Sequence, residues 1–369
     1  MEGRFPMYLR VALSFAIFVS VCAWGQAQKT APSIAPPQPE PQQAAPQQPE
    51  TPAAEHHPIP KSDIKVQVNE VIVPVTVTDE KGKFVSDLDE KDFRVLDEGK
   101  EQQIQFFTRE RSQPVVVGFL IDLSNASRLH WKNYQDSAIE LALNLLPGEP
   151  KFSGYLIAYG NTPELLVDTT TDSEVIAEKL RKLKPGGGSS LYDAIYMACT
   201  SRKLIQGEPI EPRRVLVIIG DGHDNASKKT LDEALEVAQR NLVTIYGVST
   251  QAYGFDNPDE ANLIRLAEET GGRVEYPLNN PFTDVAGYLS QPSDDGNYAY
   301  TVGTGGYAAA IASGMFNAIN HVAGEITTQY IIRYTPSTES KKQFRKIEIV
   351  VDMKNLKVRA RKGYYPLNP

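Results

Sequence analysis

The chain has only two cysteines, two tryptophans and five histidines among 369 residues. Cys22 and Cys199 cannot form the disulfide framework on which small secreted domains rely. A basic excess is also missing. The formal net charge of −8 argues against a nucleic-acid binder, which carries a positive footprint. No segment outside the N-terminus reads as a membrane span. The uncharged run Val11–Trp24 covers about 14 residues, short of the ~20 that a spanning helix needs. Two catalytic signatures are absent too, the Gly-x-Ser-x-Gly elbow and the phosphate-cradling P-loop.

What is present begins with an export pattern. Arg4 and Arg10 precede the apolar run, and Gly25-Gln26-Ala27 puts small residues before Gln28. Residues 1–27 therefore read as a secretory signal peptide, with periplasm, cell surface or medium as destination and no membrane span after cleavage. An uncleaved anchor is the alternative. Once residues 1–27 are removed, Cys199 is the one thiol, and its apolar helical surroundings suggest a buried structural group. Residues 28–62 are rich in Pro, Gln and Ala and lack periodic apolar positions, so they read as an extended, disordered tether. His56-His57 within it reads as a solvated pair.

From residue 63 to 110 the pattern changes to strands. Val71, Val73, Val75 and Val77 recur at the strand period, with Val66 and Val68 in the opposite phase. Pro74 within this run predicts an edge strand, since proline removes a ladder donor. Asp97-Glu98-Gly99-Lys100 reads as a turn between short strands. A β-rich unit this small needs a partner. Residues 326–369 supply one, with strands expected at Thr327–Tyr334, Phe344–Val351 and Val358–Ala360. Between them, residues 111–325 alternate apolar strands with amphipathic helices, which predicts a doubly wound, mostly parallel sheet. The expected fold is therefore an α/β domain inserted into a small antiparallel β-sandwich made from both ends of the chain. Residues 280–307, rich in Gly, Tyr, Asn and Asp, read as a loop insertion and a candidate accessory contact.

Ligands of doubly wound sheets bind beyond the carboxyl ends of the strands. Strand Val115–Ile121 is followed by Asp122-Leu123-Ser124-Asn125-Ala126-Ser127, and strand Val215–Ile219 by Gly220-Asp221-Gly222-His223-Asp224. Gly186-Gly187-Gly188-Ser189-Ser190 lies between, just before a helix. These loops offer carboxylate and hydroxyl oxygens, hard ligands suited to Mg²⁺, Mn²⁺ or Ca²⁺. Asp122, Ser124, Ser189 and Asp221 are the candidate metal ligands. Taken singly, Asp122 or Ser124 equally suits a helix cap, and Asp221-Gly222 a plain turn.

This constellation resembles the metal-ion-dependent adhesion site of von Willebrand factor type A domains. That family's pattern is Asp-x-Ser-x-Ser, then a Thr, then an Asp. Asp122, Ser124 and Asp221 match, and Ser189 stands at the Thr position with its hydroxyl kept. Ala126 falls at the second Ser position and has no ligand atom, so the site is expected to be degenerate there. Ser127 is one residue late, and such a shift is expected to turn its side chain away. The terminal segments, including Lys91-Asp92-Phe93-Arg94-Val95 and Arg361-Lys362-Gly363-Tyr364, resemble a related family described from acidobacteria. The resemblance implies a non-enzymatic protein that binds another protein, whose acidic side chain completes the coordination of the cation. A metal-independent envelope scaffold is the alternative. A hydrolase finds no nucleophile partner for His130, His223 or His321. A dinucleotide reading rests on Gly303-Thr304-Gly305-Gly306-Tyr307-Ala308 alone, which lies beyond the strand–helix alternation that ends near Pro277, and Glu325 precedes the next strand instead of ending it.

Overall fold

The computed structural model describes residues 70–109, 114–128, 131–201, 204, 212–250, 258–277, 305–337 and 344–366. The expected signal peptide and tether, the Val66/Val68 phase break and nearly all of the expected 280–307 insertion lie outside the described residues.

A six-stranded sheet carries the central block. Its strands are β5 (Val115–Asp122), β6 (Phe152–Tyr159), β7 (Pro163–Thr170), β8 (Arg213–Gly220), β9 (Val243–Ser249) and β10 (Val274–Glu275). They are ordered β10-β9-β8-β5-β6-β7, and all pairings are parallel except that of edge strand β7. Strands β5 and β8 contain no charged side chain between Val115 and Ile121 or Val215 and Ile219, because both faces are covered. Successive side chains point to opposite faces. Val115, Val117, Phe119 and Ile121 pack with helices α1 (Trp131–Leu145), α2 (Ser173–Arg181) and α6 (Gly305–Thr328). Val116 and Leu120 pack with α3 (Leu191–Thr200), α4 (Leu231–Arg240) and α5 (Glu260–Thr270). Gly118 allows the sheet to close on that second face: a Cβ there would meet the Tyr155 ring at 2.5 Å. Cys199 sits in the same layer, 1% exposed, and burial pushes its thiol up to about 12.

The helices start where local chemistry satisfies their first amides. Thr230 accepts from Glu233 N at 3.2 Å, and the Glu233 carboxylate accepts from Thr230 N at 2.9 Å, a reciprocal capping box. Asp172 caps α2 by accepting from Glu174 N at 2.9 Å. Helix α6 runs to Thr328, so Thr327 and Thr328 close a helix instead of opening the expected strand.

The ends of the chain form two four-stranded antiparallel sheets. One is ordered β13-β1-β11-β4, from Leu356–Ala360, Val71–Asp79, Tyr330–Tyr334 and Phe106–Thr108. The other is β14-β12-β2-β3, from Gly363–Tyr364, Arg345–Val351, Phe93–Asp97 and Lys100–Gln102. They share one apolar core that includes Val73, Val75, Val95, Tyr330 and Ile347. The hairpin between β2 and β3 turns at Glu98 (φ 53°) and Gly99 (φ 76°), both left-handed as a two-residue loop requires. Deep in this core, Asp97 accepts from Arg345 Nε at 2.8 Å, Tyr334 OH at 2.9 Å and Tyr364 OH at 3.0 Å.

Strand β1 is interior rather than at an edge, contrary to the expectation from Pro74. β11 pairs with it over Val71–Val75 and β13 over Val75–Asp79. At Pro74 only one neighbour is paired, so the proline occupies a local edge within an interior strand. Both faces of β1 are buried. Its odd-numbered valines fill the sandwich, while Thr76 on the other face donates to Glu325 of α6 at 3.0 Å.

Candidate functional site

Parallel pairing of β5 with β8 brings the loops after them side by side, with Ile121 opposite Ile219. The glycine-rich loop before α3 closes over both. Asn125 N donates to Gly187 O at 3.1 Å and Gly186 N to Leu123 O at 2.5 Å. On the other side, Asn225 N and Ala226 N donate to Ser189 O at 3.0 and 2.9 Å, and Ser189 N donates to Asn225 Oδ1 at 2.9 Å. The three sequence motifs thus form one knitted surface at the carboxyl end of the sheet.

Asp122 is its buried anchor, 2% exposed. Its Oδ1 accepts from Ser124 N at 2.6 Å, while its Oδ2 has no partner. Burial pushes its carboxyl up to about 7, and the nearby Asp221 charge adds to the rise against the opposing pull of Ser124 and Ser127. Asp221 is half-buried, and its Oδ1 accepts from His223 N at 3.0 Å. Ser189 is fully buried and donates its hydroxyl to His223 O at 2.7 Å, which leaves its oxygen lone pairs as acceptors. Gly220 is required beside Asp122, because a Cβ there would run into the Tyr159 hydroxyl and lie 3.1 Å from Asp122 Cβ. The phenol of Tyr159 is pushed far up by burial, reinforced by the charges of Asp122, Asp221 and Asp224.

Ser127 departs from the sequence expectation. Residues Asn125–Arg128 form a 3-10 turn, with Ser127 N donating to Ser124 O at 3.2 Å. Three residues complete one turn of such a helix, so positions 124 and 127 share a face. Ser127 is accordingly 1% exposed and acts on the Asp122 carboxyl, whereas Ala126 is exposed. The spacing Ser-x-x-Ser was the available signal, and the one-residue offset hid it. Ser190 was also missed. It precedes α3, is fully buried, and its hydroxyl does not cap the helix.

Side-chain oxygens Asp122 Oδ2, Ser124 Oγ, Ser127 Oγ and Ser190 Oγ are buried without a well-formed hydrogen bond, and the Ser124 and Ser127 hydroxyls have only the Asp122 carboxyl to turn to. Each such atom costs about 1–3 kcal/mol if left unsatisfied. A cation that takes hard oxygen ligands fits this set, and a soft-ligand metal does not. Among the described residues no group of three or more His, Cys, Asp or Glu side chains is placed to hold a metal. The donor set is therefore carboxylates with hydroxyls. The imidazole of His223 meets Asp259 through Nδ1 at 2.5 Å, and Asp224 accepts from Tyr192 N at 2.9 Å and Ser227 Oγ at 2.6 Å, which holds the third loop.

No curated protein matches the chain. Among solved structures, BatB from Bacteroides thetaiotaomicron is 16% identical at TM-score 0.35, over 43% of this chain and 88% of that one. The von Willebrand factor domain of the type V pili tip protein Mfa5 from Porphyromonas gingivalis is 22% identical at TM-score 0.26, over 30% and 39%. Proximal thread matrix protein 1 from the mussel byssus, solved with a zinc-occupied adhesion-site motif, is 12% identical at TM-score 0.39, over 64% and 50%. The family model that matches is that of the von Willebrand factor type A domain, over residues 117–284. Together with the mixed, mostly parallel sheet and its helices, this match shows that the chain carries a von Willebrand factor type A domain, alongside two antiparallel sheets formed by the N- and C-terminal segments.

Proposed function

We propose that this chain is an exported, non-enzymatic protein that binds another protein at the carboxyl end of its central sheet, by way of a divalent cation. The observation that carries the reading is the buried cluster of Asp122 Oδ2, Ser124 Oγ and Ser127 Oγ, which has no well-formed hydrogen bond to any group outside itself. Ser124, Ser127 and Ser189 are the hydroxyl ligands, and Asp122 and Asp221 supply the negative charge, directly or through water. With two carboxylates the site holds Mg²⁺ or Mn²⁺ without saturating its coordination. When bound, the ion offers an open position to a carboxylate oxygen of the partner. Three hydroxyls restore the ligand count that Ala126 removes from the expected set.

The non-enzymatic reading is supported by the sequence, which carries neither a Gly-x-Ser-x-Gly elbow nor a P-loop. Export is supported by Arg4, Arg10 and the Val11–Trp24 run, and no helix among the described residues is long and apolar enough to cross a membrane. The sheets flanking the domain are consistent with the arrangement of the acidobacterial family that the terminal segments resemble.

Calorimetric titration of Mg²⁺ and Mn²⁺ into wild type and Asp221→Ala tests the site, and partner capture with and without chelator tests its use. Binding lost in the variant, together with chelator-sensitive capture, is expected. Wild type that binds neither ion would instead leave a metal-independent scaffold.

A further inference from the structure

The opposite end of the same sheet carries a second, unrelated feature. Where β8 and β9 begin, roughly 23 Å from Asp221 at about 3.3 Å per residue, a narrow cavity of about 20 Å³ opens between the central domain and strand β1. Arg213, Arg214 and Arg361 line it, with Ile72, Pro74 and Thr244 among its remaining walls. No carboxylate is among its described lining residues. Pro74 contributes no N–H here, so the wall it forms is apolar.

Arg361 is 3% exposed. One of its guanidinium nitrogens donates to Leu242 O at 3.0 Å, and its Nε has no partner. Burial, opposed by Tyr334 and helped by the neighbouring charge of Arg213, lowers its pKa to about 10. Arg213 donates to Ile326 O at 2.9 Å and also to Gln329 Oε1. Both acceptors are neutral. The nearby carboxylates are already engaged. Glu325 is shared by Arg273 and Arg359 and also acts at a distance on Arg213, and Glu275 pairs with Arg273 and His321. Among the described residues around this junction, the guanidinium groups of Arg213, Arg214, Arg273, Arg359 and Arg361 outnumber the carboxylates of Glu275 and Glu325. A buried positive charge without a counter-charge is strongly unfavourable.

We propose that this cavity is a binding site for a small monovalent anion of chloride size, held by Arg361 and Arg213 and locking the β-sandwich onto the base of the central domain. The size argument selects the ligand. The cavity accommodates about one water-sized centre, which suits a halide and rejects gluconate. The site is independent of the cation proposal, because it uses none of the same residues.

The test uses the full mature chain. Thermal unfolding is compared in sodium chloride and sodium gluconate at equal ionic strength, and crystals are soaked in bromide. Chloride is expected to raise Tm by about 2–4 °C over gluconate, with an anomalous bromide peak beside Arg361. Arg361→Met is expected to abolish the chloride-specific rise, while Arg361→Lys keeps part of it. The wild-type measurements stand even if a variant fails to fold. Equal Tm in both salts overturns the proposal, whether bromide is absent, replaced by water, or present as an adventitious ion only.

Discussion

Replacing Asp122 with Asn separates what the buried carboxylate costs the fold from what it does for the cation. The carboxyl titrates near 7 in the folded chain against an ordinary 3.8, chiefly because burial disfavours its charged form. About three pKa units correspond to roughly 4 kcal/mol of penalty on the ionised, metal-free protein. The group's folded value is raised, so its contribution is favourable at low pH. Below about pH 4 both folded and unfolded chains are protonated and no penalty exists. From there stability falls until the folded carboxyl ionises near pH 7, and above that the full penalty applies. Asn keeps an oxygen for Ser124 N and carries no charge. In EDTA at pH 8 the variant is therefore expected to be more stable than wild type by up to about 4 kcal/mol, and by little at pH 4.5. Urea unfolding followed by circular dichroism at both pH values gives the comparison. Saturating Mg²⁺ at about 100 times Kd is expected to return roughly 2.7 kcal/mol to wild type and nothing to the variant. Parallel pH profiles of the two proteins in EDTA would refute the burial argument. An undiminished Mg²⁺ shift in the variant would refute the assignment of Asp122 to the ion.

Further predictions concern single groups. Ser127→Ala is expected to weaken Mg²⁺ binding at least ~10-fold by calorimetry, about 1.4 kcal/mol, whereas Ala126→Ser, on the exposed side of the turn, leaves affinity within about twofold. Asp97→Ala is expected to lower unfolding free energy by about 3–5 kcal/mol, because Arg345, 2% exposed, loses its counter-charge along with two tyrosine hydroxyl contacts; guanidinium unfolding measures it. Gly220→Ala forces a methyl group into Tyr159 and against Asp122, so it is expected to reduce both Tm and cation affinity, whereas a cap change such as Thr230→Ala costs only about 1 kcal/mol and leaves the cation affinity intact.

Much of this was legible from periodicity. The uncharged stretches of β5 and β8 announced strands covered on both faces. Ligands bind at the loops that leave the carboxyl ends of such strands, so Asp122 and Asp221 stood out by position alone. Ser127 did not, because its offset is a fault only in extended backbone; the 3-10 turn that corrects it is a property of backbone path, which side-chain spacing reports weakly. Pro74 misled for a similar reason. A proline excludes one ladder bond, not a strand, and the sequence does not say that β13 begins its pairing one residue later. Thr327 and Thr328 favour strands by their branching, yet they finish α6, where their hydroxyls bond back to the preceding turn.

The pairing of Val71 with Tyr334 sets a timetable for synthesis. About 260 residues separate the two strands, so at 5–20 residues per second β1 waits roughly 10–50 s for its partner to leave the ribosome. During that interval Val71, Val73, Val75 and Val77 have no sandwich to enter, although the central domain can already collapse. The first of the described strands to be made is among the last to be buried, and a chain that stops short of Tyr330 leaves that valine face as a template for aggregation.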